Sequence, residues 1–288
     1  MRRVTTLFLA ALFGAAAPAT EAAACALHSA APPVEESRHD RGELQLMATH
    51  RDLRFGDDTT GRARLREESL LLRGAFYLPG GLGFAAHLPV TRRRVDLPNG
   101  STQRLQGTGD LGVELRYRAG RDGPVTWQGH AGALLPTAPF LTELEGRPVH
   151  PDVQLGAGVV VPRVGAALGY SLADAWTLHG GADFLWAPTS PDGVRRSATA
   201  RLTPSLRFEA LPALFLDVTL PLRWESPTRI DDEIDPNTGG LLQELAPSLS
   251  WHPGRWSLQV GASLPVVQAL RGEQREAPSL FFSSSLGF

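Results

Sequence analysis

The residues able to do chemistry in this chain are scattered. Eight histidines are present, and no two stand at a metal-ligand spacing within one extended segment. His87, His130 and His179 fall on the polar side of alternating segments, so they could meet only if those segments lie side by side. Asp231-Asp232-Glu233, with Asp235 and Asn237, is rich in oxygen ligands. It lacks the spacing of a calcium loop and reads as a solvated surface loop. Gly107-Thr108-Gly109 is not a phosphate cradle, because no strand-to-helix transition follows it. No hydrolase nucleophile motif is visible, and no Ser and His stand adjacent on one face as a lipid hydrolase would need. The expectation is a non-enzyme with no metal and no cofactor.

The remaining polar residues are ordered by spacing. Arg73, Asp110, Glu114, Arg116, Arg118, Asp183, Arg201, Arg207, Asp217 and Arg223, with His87, His130 and His179, alternate with apolar neighbours. A dry protein interior could not hold so many charges without a heavy desolvation cost. A water-filled barrel could solvate and pair them. They are therefore predicted to face a lumen, either as a salt-bridge ladder across it or as contacts for a solute.

The segments carrying them repeat one unit from about residue 42. Leu111, Val113, Leu115 and Tyr117 alternate with Glu114, Arg116 and Arg118. Leu214, Leu216, Val218, Leu220, Leu222 and Trp224 alternate with Asp217, Thr219 and Arg223. Period two marks strands with one apolar face. Twelve such strands can be counted in the sequence, joined by short turns and longer loops in alternation. The expected loops include residues 55–66, 92–107 and 268–277. An all-β, transmembrane, up-and-down antiparallel barrel of about 12 strands has this arrangement, with both termini on the periplasmic side. Its wall would be about 24 Å across between backbones. After the N-terminus no apolar run is long enough for a membrane-spanning helix.

Trp127, Trp176, Trp186, Trp224, Trp251 and Trp256 sit near strand ends, where aromatic girdles meet the membrane surface. Leu88-Pro89, Leu135-Pro136, Leu220-Pro221 and Leu264-Pro265 repeat one step near the long-loop ends. Proline lacks the ladder donor, so bulges or strand ends are expected there. The last strand ends the chain on Phe288. It must pair with the first strand near Leu44 to remove the sheet edges.

Residues 1–24 read as a signal peptide: Arg2 and Arg3, an apolar middle, then Ala22-Ala23-Ala24. Cys25, the sole cysteine, follows; it is expected as a free N-terminal residue, with lipidation the alternative. Residues 25–41 form an irregular lead-in, in the periplasm or the lumen, and 42–288 the barrel. The net charge of −2 argues against a nucleic-acid partner. All the basic residues are Arg.

Gly107-Thr108-Gly109-Asp110-Leu111, leading through Glu114 to Tyr117-Arg118, resembles outer-membrane proteins of the phenol meta-pathway type, more distantly similar to long-chain fatty-acid channels. Leu134-Leu135-Pro136-Thr137 and Leu155-Gly156-Ala157-Gly158 are similar to the same family. Where the family often has a polar or acidic residue next, this chain has Val159-Val160-Val161-Pro162. The resemblance implies an outer-membrane channel for small hydrophobic or aromatic compounds, by passive or gated diffusion. It implies as partners the small-molecule solute, outer-membrane lipids and the barrel-insertion machinery, which would read Phe288. The alternatives are a structural or surface-interaction barrel without flux and, further off, a lipid hydrolase.

Overall fold

The computed structural model describes residues 41–55, 61–119, 124–141, 143–144, 146–149, 153–186, 188–190, 193–272 and 274–288. The signal peptide, Cys25 and the lead-in up to residue 40 lie outside the described residues. The remainder forms twelve antiparallel strands. They are β1 (Gly42–Phe55), β2 (Ala63–Tyr77), β3 (Leu82–Asp96), β4 (Thr102–Thr108 and Leu111–Ala119), β5 (Val125–Leu135) and β6 (Val161–Ala173). Then come β7 (Trp176–Leu185), β8 (Thr199–Leu202 and Ser205–Leu211), β9 (Leu214–Thr219 and Leu222–Glu225), β10 (Gly240–Trp251), β11 (Trp256–Leu270) and β12 (Arg275–Glu276 and Ser279–Gly287).

Each strand pairs with its sequence neighbours, and β12 returns to β1. Leu44 stands opposite Leu286, and Thr49 opposite Phe281. Gly42 and Phe288 exchange both backbone hydrogen bonds at 3.0 Å. The closure leaves no sheet edge, which is the condition for placing strands in hydrocarbon.

The two faces of the wall are inverted relative to a soluble protein. Leu280 is 70% exposed, Phe84 54% and Val164 53%, while Glu114, Arg116 and Asp217 on the opposite face are at most 5% exposed. An uncovered apolar face on every side has lipid as its solvent. Trp127, Trp176, Trp251 and Trp256 lie at the short-turn end, and Trp186 and Trp224 at the other. Tyr117 packs on Trp127 at 5.3 Å and Trp176 on Phe208 at 4.6 Å.

Proline interrupts the ladder on the loop side. Leu88-Pro89 faces the break in β4, and Gly109 N donates to Pro89 O at 2.8 Å. The breaks at Pro204 in β8 and Pro221 in β9 are adjacent: Leu220 N donates to Pro204 O and Glu244 N to Pro221 O, both at 2.9 Å. The register slips at Gln243/Glu244, where Pro265 stands across from Glu244. At Pro136 the strand simply ends. Beyond the pair Ser263–Ser279, β11 and β12 share no further ladder pair. The Gln268 side chain takes over, donating to Glu276 O at 3.1 Å and accepting from Glu276 N at 2.7 Å.

Three expected loops are largely strand. Arg92–Asp96 pairs with Thr102–Gln106, Ala63–Arg66 belongs to β2, and Arg275–Glu276 pairs with Leu53 and Arg54. Their outward residues are polar because these strands run past the hydrocarbon, so the apolar alternation stops while the ladder continues.

The connection between β5 and β6 folds inward over the mouth. Val153 is buried against Leu53, Leu65 and Val95 on the inner faces of β1, β2 and β3, with Val149 beside it. Asp110 anchors this segment by accepting from Ala138 N at 3.1 Å and Ala157 N at 2.7 Å. Gln154 O accepts from the Arg93 guanidinium. The connections around Val194–Arg195, Arg229–Ile230 and Glu233–Ile234 form a small antiparallel sheet.

Val153 contributes about 2 kcal/mol of apolar burial. Val153→Asp is therefore expected to leave the heat-modifiable mobility of the folded barrel unchanged and to accelerate amide exchange across residues 138–141 and 153–157 by about 30-fold, measured by hydrogen–deuterium exchange mass spectrometry.

Candidate functional site

The inner wall carries three tiers of polar side chains. In the middle tier, Arg163 on β6 joins two carboxylates. Its Nη1 donates to Glu114 Oε1 on β4 at 2.7 Å. Its Nε and Nη2 donate to the two oxygens of Asp183 on β7 at 3.0 and 3.1 Å. This is the bidentate fork that a guanidinium forms with a carboxylate. His130 Nε2 on β5 lies 2.8 Å from Asp183 Oδ1. Arg116 Nε donates to Glu114 Oε2 at 2.9 Å, and His87 Nδ1 on β3 lies 3.8 Å from Glu114. Arg201 stands across from Asp183 on one side and Arg223 on the other.

Period two alone would not make room for these groups. A Cβ at residue 112 would overlap the His87 ring, and one at 165 the His130 ring. Glycine at both positions lets each imidazole lie flat against the neighbouring strand.

Toward the loop end, Arg93 Nε donates to Glu67 at 2.7 Å, and Arg51 and Arg223 both pair with Glu276. Glu244 accepts from Ser263 Oγ at 2.6 Å. Toward the terminal end the lumen fills. Arg118 lies over the Tyr77 ring at 4.2 Å, and Tyr77 donates to Gln128 at 3.3 Å. Arg207 Nε donates to Asp217 at 2.6 Å, and Ser250 Oγ donates to the same carboxylate at 2.8 Å.

A cavity of about 160 Å³ occupies the middle and loop-end tiers. Arg73, His87, Asp110, Glu114, Arg116, His130, Asp183, Arg201 and Arg223 line it. Arg118 and His179 instead border a separate space of about 30 Å³ toward the terminal end, room for about one water. Arg207 and Asp217 are spent on each other in the filled part. The three histidines thus do not form one cluster, and no group of metal-binding side chains occurs among the described residues.

Sequence reasoning missed Arg51, Glu67, Arg93, Arg163, Glu244 and Glu276, all of which line the cavity. Arg51 and Arg163 were within reach, since each falls on the inward parity of a recognised strand, opposite Leu44, Leu46 and Ala48 in one case and Val164 and Ala166 in the other. Glu67, Arg93 and Glu276 fall at or beyond the borders assigned to loops. Of the lining residues, Arg73 is set apart by its bonding. Among the described residues it forms no ion pair, and its hydrogen bond goes to the neutral Gln45 Oε1 at 3.4 Å.

A closed twelve-stranded wall with a lipid-facing apolar belt and a charged lumen is a bacterial outer-membrane β-barrel. Its fold is similar to that of an outer-membrane channel from Pseudomonas putida F1, with a TM-score of 0.70 and 15% sequence identity over 90% of this chain and 100% of that one. It is also similar to the transport unit of the autotransporter AIDA-I from Escherichia coli, at a TM-score of 0.56 and 10% identity over 91% of this chain and 95% of that one. The β domain of the Bordetella autotransporter BrkA matches at 0.52 and 12%, covering 86% and 100%. No protein-family profile and no curated protein matches the sequence.

Removing one partner of a buried charge network leaves the others uncompensated. Arg163→Gln is expected to lower unfolding stability by about 3 kcal/mol, toward the small end of the dry-interior range, because 18% of the Arg163 side chain is open to the lumen. Urea titration of the barrel in lipid vesicles checks this.

Proposed function

We propose that this barrel is a narrow outer-membrane channel for small solutes, and that the solutes it favours are small carboxylates, aromatic ones included. The observation that carries this reading is Arg73, a cation in the lumen whose described partner is a neutral amide. Arg51, Arg93, Arg116, Arg163, Arg207 and Arg223 are each ion-paired to a carboxylate of the chain, so a passing anion has less to displace at Arg73. At about 4 Å and an effective dielectric near 20, one unit-charge pair is worth about 4 kcal/mol before desolvation. That can offset part of the dehydration of an entering carboxylate.

The cavity of about 160 Å³ lies below the 300–1,000 Å³ typical of pockets for drug-sized ligands. The solute is accordingly small, and the filled terminal end requires side chains to move aside as it passes. The resemblance of residues 107–118 to phenol meta-pathway proteins supports an aromatic solute, and the charged lining supports an acidic one. Aromatic carboxylates satisfy both.

The long connections lie at the end opposite Gly42 and Phe288, which supports placing both termini in the periplasm. Phe288 is 54% exposed beside the seam, where the barrel-insertion machinery would meet it.

The inward-folded connection and the filled terminal end favour a second reading, a barrel without flux. Conductance separates the two. In planar bilayers the wild type is expected to show small channels whose zero-current potential in a salt gradient favours anions. In liposome swelling, benzoate should enter faster than a neutral polar solute of similar size that the bilayer excludes, such as a pentose. Arg73→Gln should reduce both preferences several-fold. Absence of conductance, or faster entry of the neutral sugar, overturns the reading.

A further inference from the structure

Beyond the lumen, the outer wall carries a charged surface that the channel reading leaves unused. Where β1 to β4 extend past the apolar belt, their outward positions form rows. One row holds Ala48, Leu70, Val90 and Thr108. The next, about 7 Å further along the strands, holds His50, Glu68, Arg92 and Gln106. The third, about 13 Å beyond Leu70 and Val90, holds Asp52, Arg66, Arg94 and Arg104. The last holds Arg54, Arg64, Asp96 and Thr102.

Arg66, Arg94 and Arg104 are therefore cross-strand neighbours on three successive strands with no carboxylate between them. Like charges in directly opposed positions destabilise a sheet unless something neutralises them. The three carboxylates of the surface are already engaged. Asp52 pairs with Arg64, Asp96 accepts from Arg94 Nε at 2.8 Å, and Glu68 lies 3.8 Å from Arg92. Arg54, Arg66 and Arg104 form no hydrogen bond or ion pair among the described residues. Arg66 Nε is closed off from solvent with no acceptor. Immediately below this row lies a groove of about 480 Å³ on the wall, lined by Ala48, Leu70 and Val90 and, nearer the row, by Arg92, Gln106 and Glu68, the last lying beside Arg92.

We propose that this surface binds a phosphorylated lipid of the outer leaflet, the lipid A part of lipopolysaccharide. The guanidiniums of Arg66, Arg94 and Arg104 hold a headgroup phosphate, and an acyl chain lies in the groove below. The order is that of the lipid itself: phosphate at headgroup height, hydrocarbon beneath it. Guanidinium forks match phosphate oxygens, and a phosphate supplies a direct anionic partner for Arg66 and Arg104, since Asp52 of the same row is paired with Arg64 and Asp96 with Arg94. The outer-leaflet assignment rests on the orientation argued above, with the termini in the periplasm.

The test uses the full mature chain folded in detergent, with native mass spectrometry after addition of bis-phosphorylated lipid A, dephosphorylated lipid A or phosphatidylglycerol. The wild type is expected to retain bis-phosphorylated lipid A in preference to the other two. The triple variant R66Q/R94Q/R104Q is expected to bind it about tenfold or more weakly, and Arg104→Gln alone several-fold more weakly. Arg255→Gln, in a turn at the opposite end, controls for loss of charge as such, and heat-modifiable mobility confirms that each variant is folded. Equal retention by wild type and triple variant, or equal retention of the dephosphorylated lipid or of phosphatidylglycerol, overturns the proposal. Orientation is read separately, by labelling Asn99→Cys in a Cys25→Ser background with a membrane-impermeant maleimide. Labelling on intact cells supports the outer-leaflet placement. Labelling only after permeabilisation shows that the orientation has failed, and the lipid A assignment falls with it.

Discussion

Arg163 touches carboxylates on two other strands, and much of the inner wall follows from the need for such contacts. A strand in a closed barrel cannot turn a charged side chain away from the lumen without turning its apolar neighbours out of the lipid. Each inward charge must find its partner inside. The partners are seldom adjacent in sequence: Glu114 and Asp183 lie 49 and 20 positions from Arg163. They meet because the register of β4 through β7 brings them to one height. The ion pairs thus reinforce the register, since a one-residue slip would send every one of these charges into hydrocarbon. Their net contribution to stability need not be large for this to hold. The cost of the wrong arrangement is what selects the right one.

The inner wall is also uneven around its circumference, and the unevenness shapes the lumen. From β2 to β9 the inward side chains include Tyr77, Arg118, Arg163, Arg201 and Arg207. On β10 to β12 they are largely small: Ser248, Ser250, Ser257, Ser263, Ser283 and Ser285 are all buried. Long side chains from one side can reach across only because the other side is short. Gln259 and Gln45 span part of the remaining space, donating to Ser248 at 3.0 Å and Ser283 at 3.1 Å. The β5–β6 connection continues this logic at the mouth. There the inner faces of β1 to β3 turn apolar at Leu53, Leu65 and Val95, and Val153 covers them. An apolar patch inside a wet lumen has the same drive to be covered as one on a soluble surface.

Most of the fold was legible because hydrocarbon imposes a strict rule on every second residue. Leu111 to Arg118 alternates without exception, and the closing strand was correctly matched to the first near Leu44. The rule lapses where the strands leave the membrane. At Arg64-Leu65-Arg66-Glu67 and Arg92-Arg93-Arg94-Val95 the outward residues are charged, so the two faces no longer contrast in polarity and the segments read as loops. The lumen tiers lost Glu67, Arg93 and Glu276 for that reason. The pairings were hidden for a different one. Which charges meet depends on register and shear, and the alternation of a single strand carries no information about either. Asp110 shows the same limit: its position among alternating residues suggested the lumen, whereas its hydrogen bonds go to the backbone of the connection it anchors.

The bonding state of the lumen arginines bears on how an anion could pass. An arginine already held by a carboxylate offers an incoming anion exchange rather than addition, and exchange leaves the displaced glutamate or aspartate charged and unpaired. A lumen built wholly of satisfied pairs would therefore repel anions and cations alike, which is the electrostatic character of a plug. Glu114 and Asp183 are in that condition, enclosed by Arg116, Arg163 and His130. Arg73 departs from it. It sits on β2 directly across from Gln45 on one side and His87 on the other; its hydrogen bond goes to the Gln45 amide, and Glu43, Glu114 and Arg116 act on it only through space. A single such position breaks the symmetry between the two signs of charge, and it does so at the level where the cavity gives way to the filled terminal end.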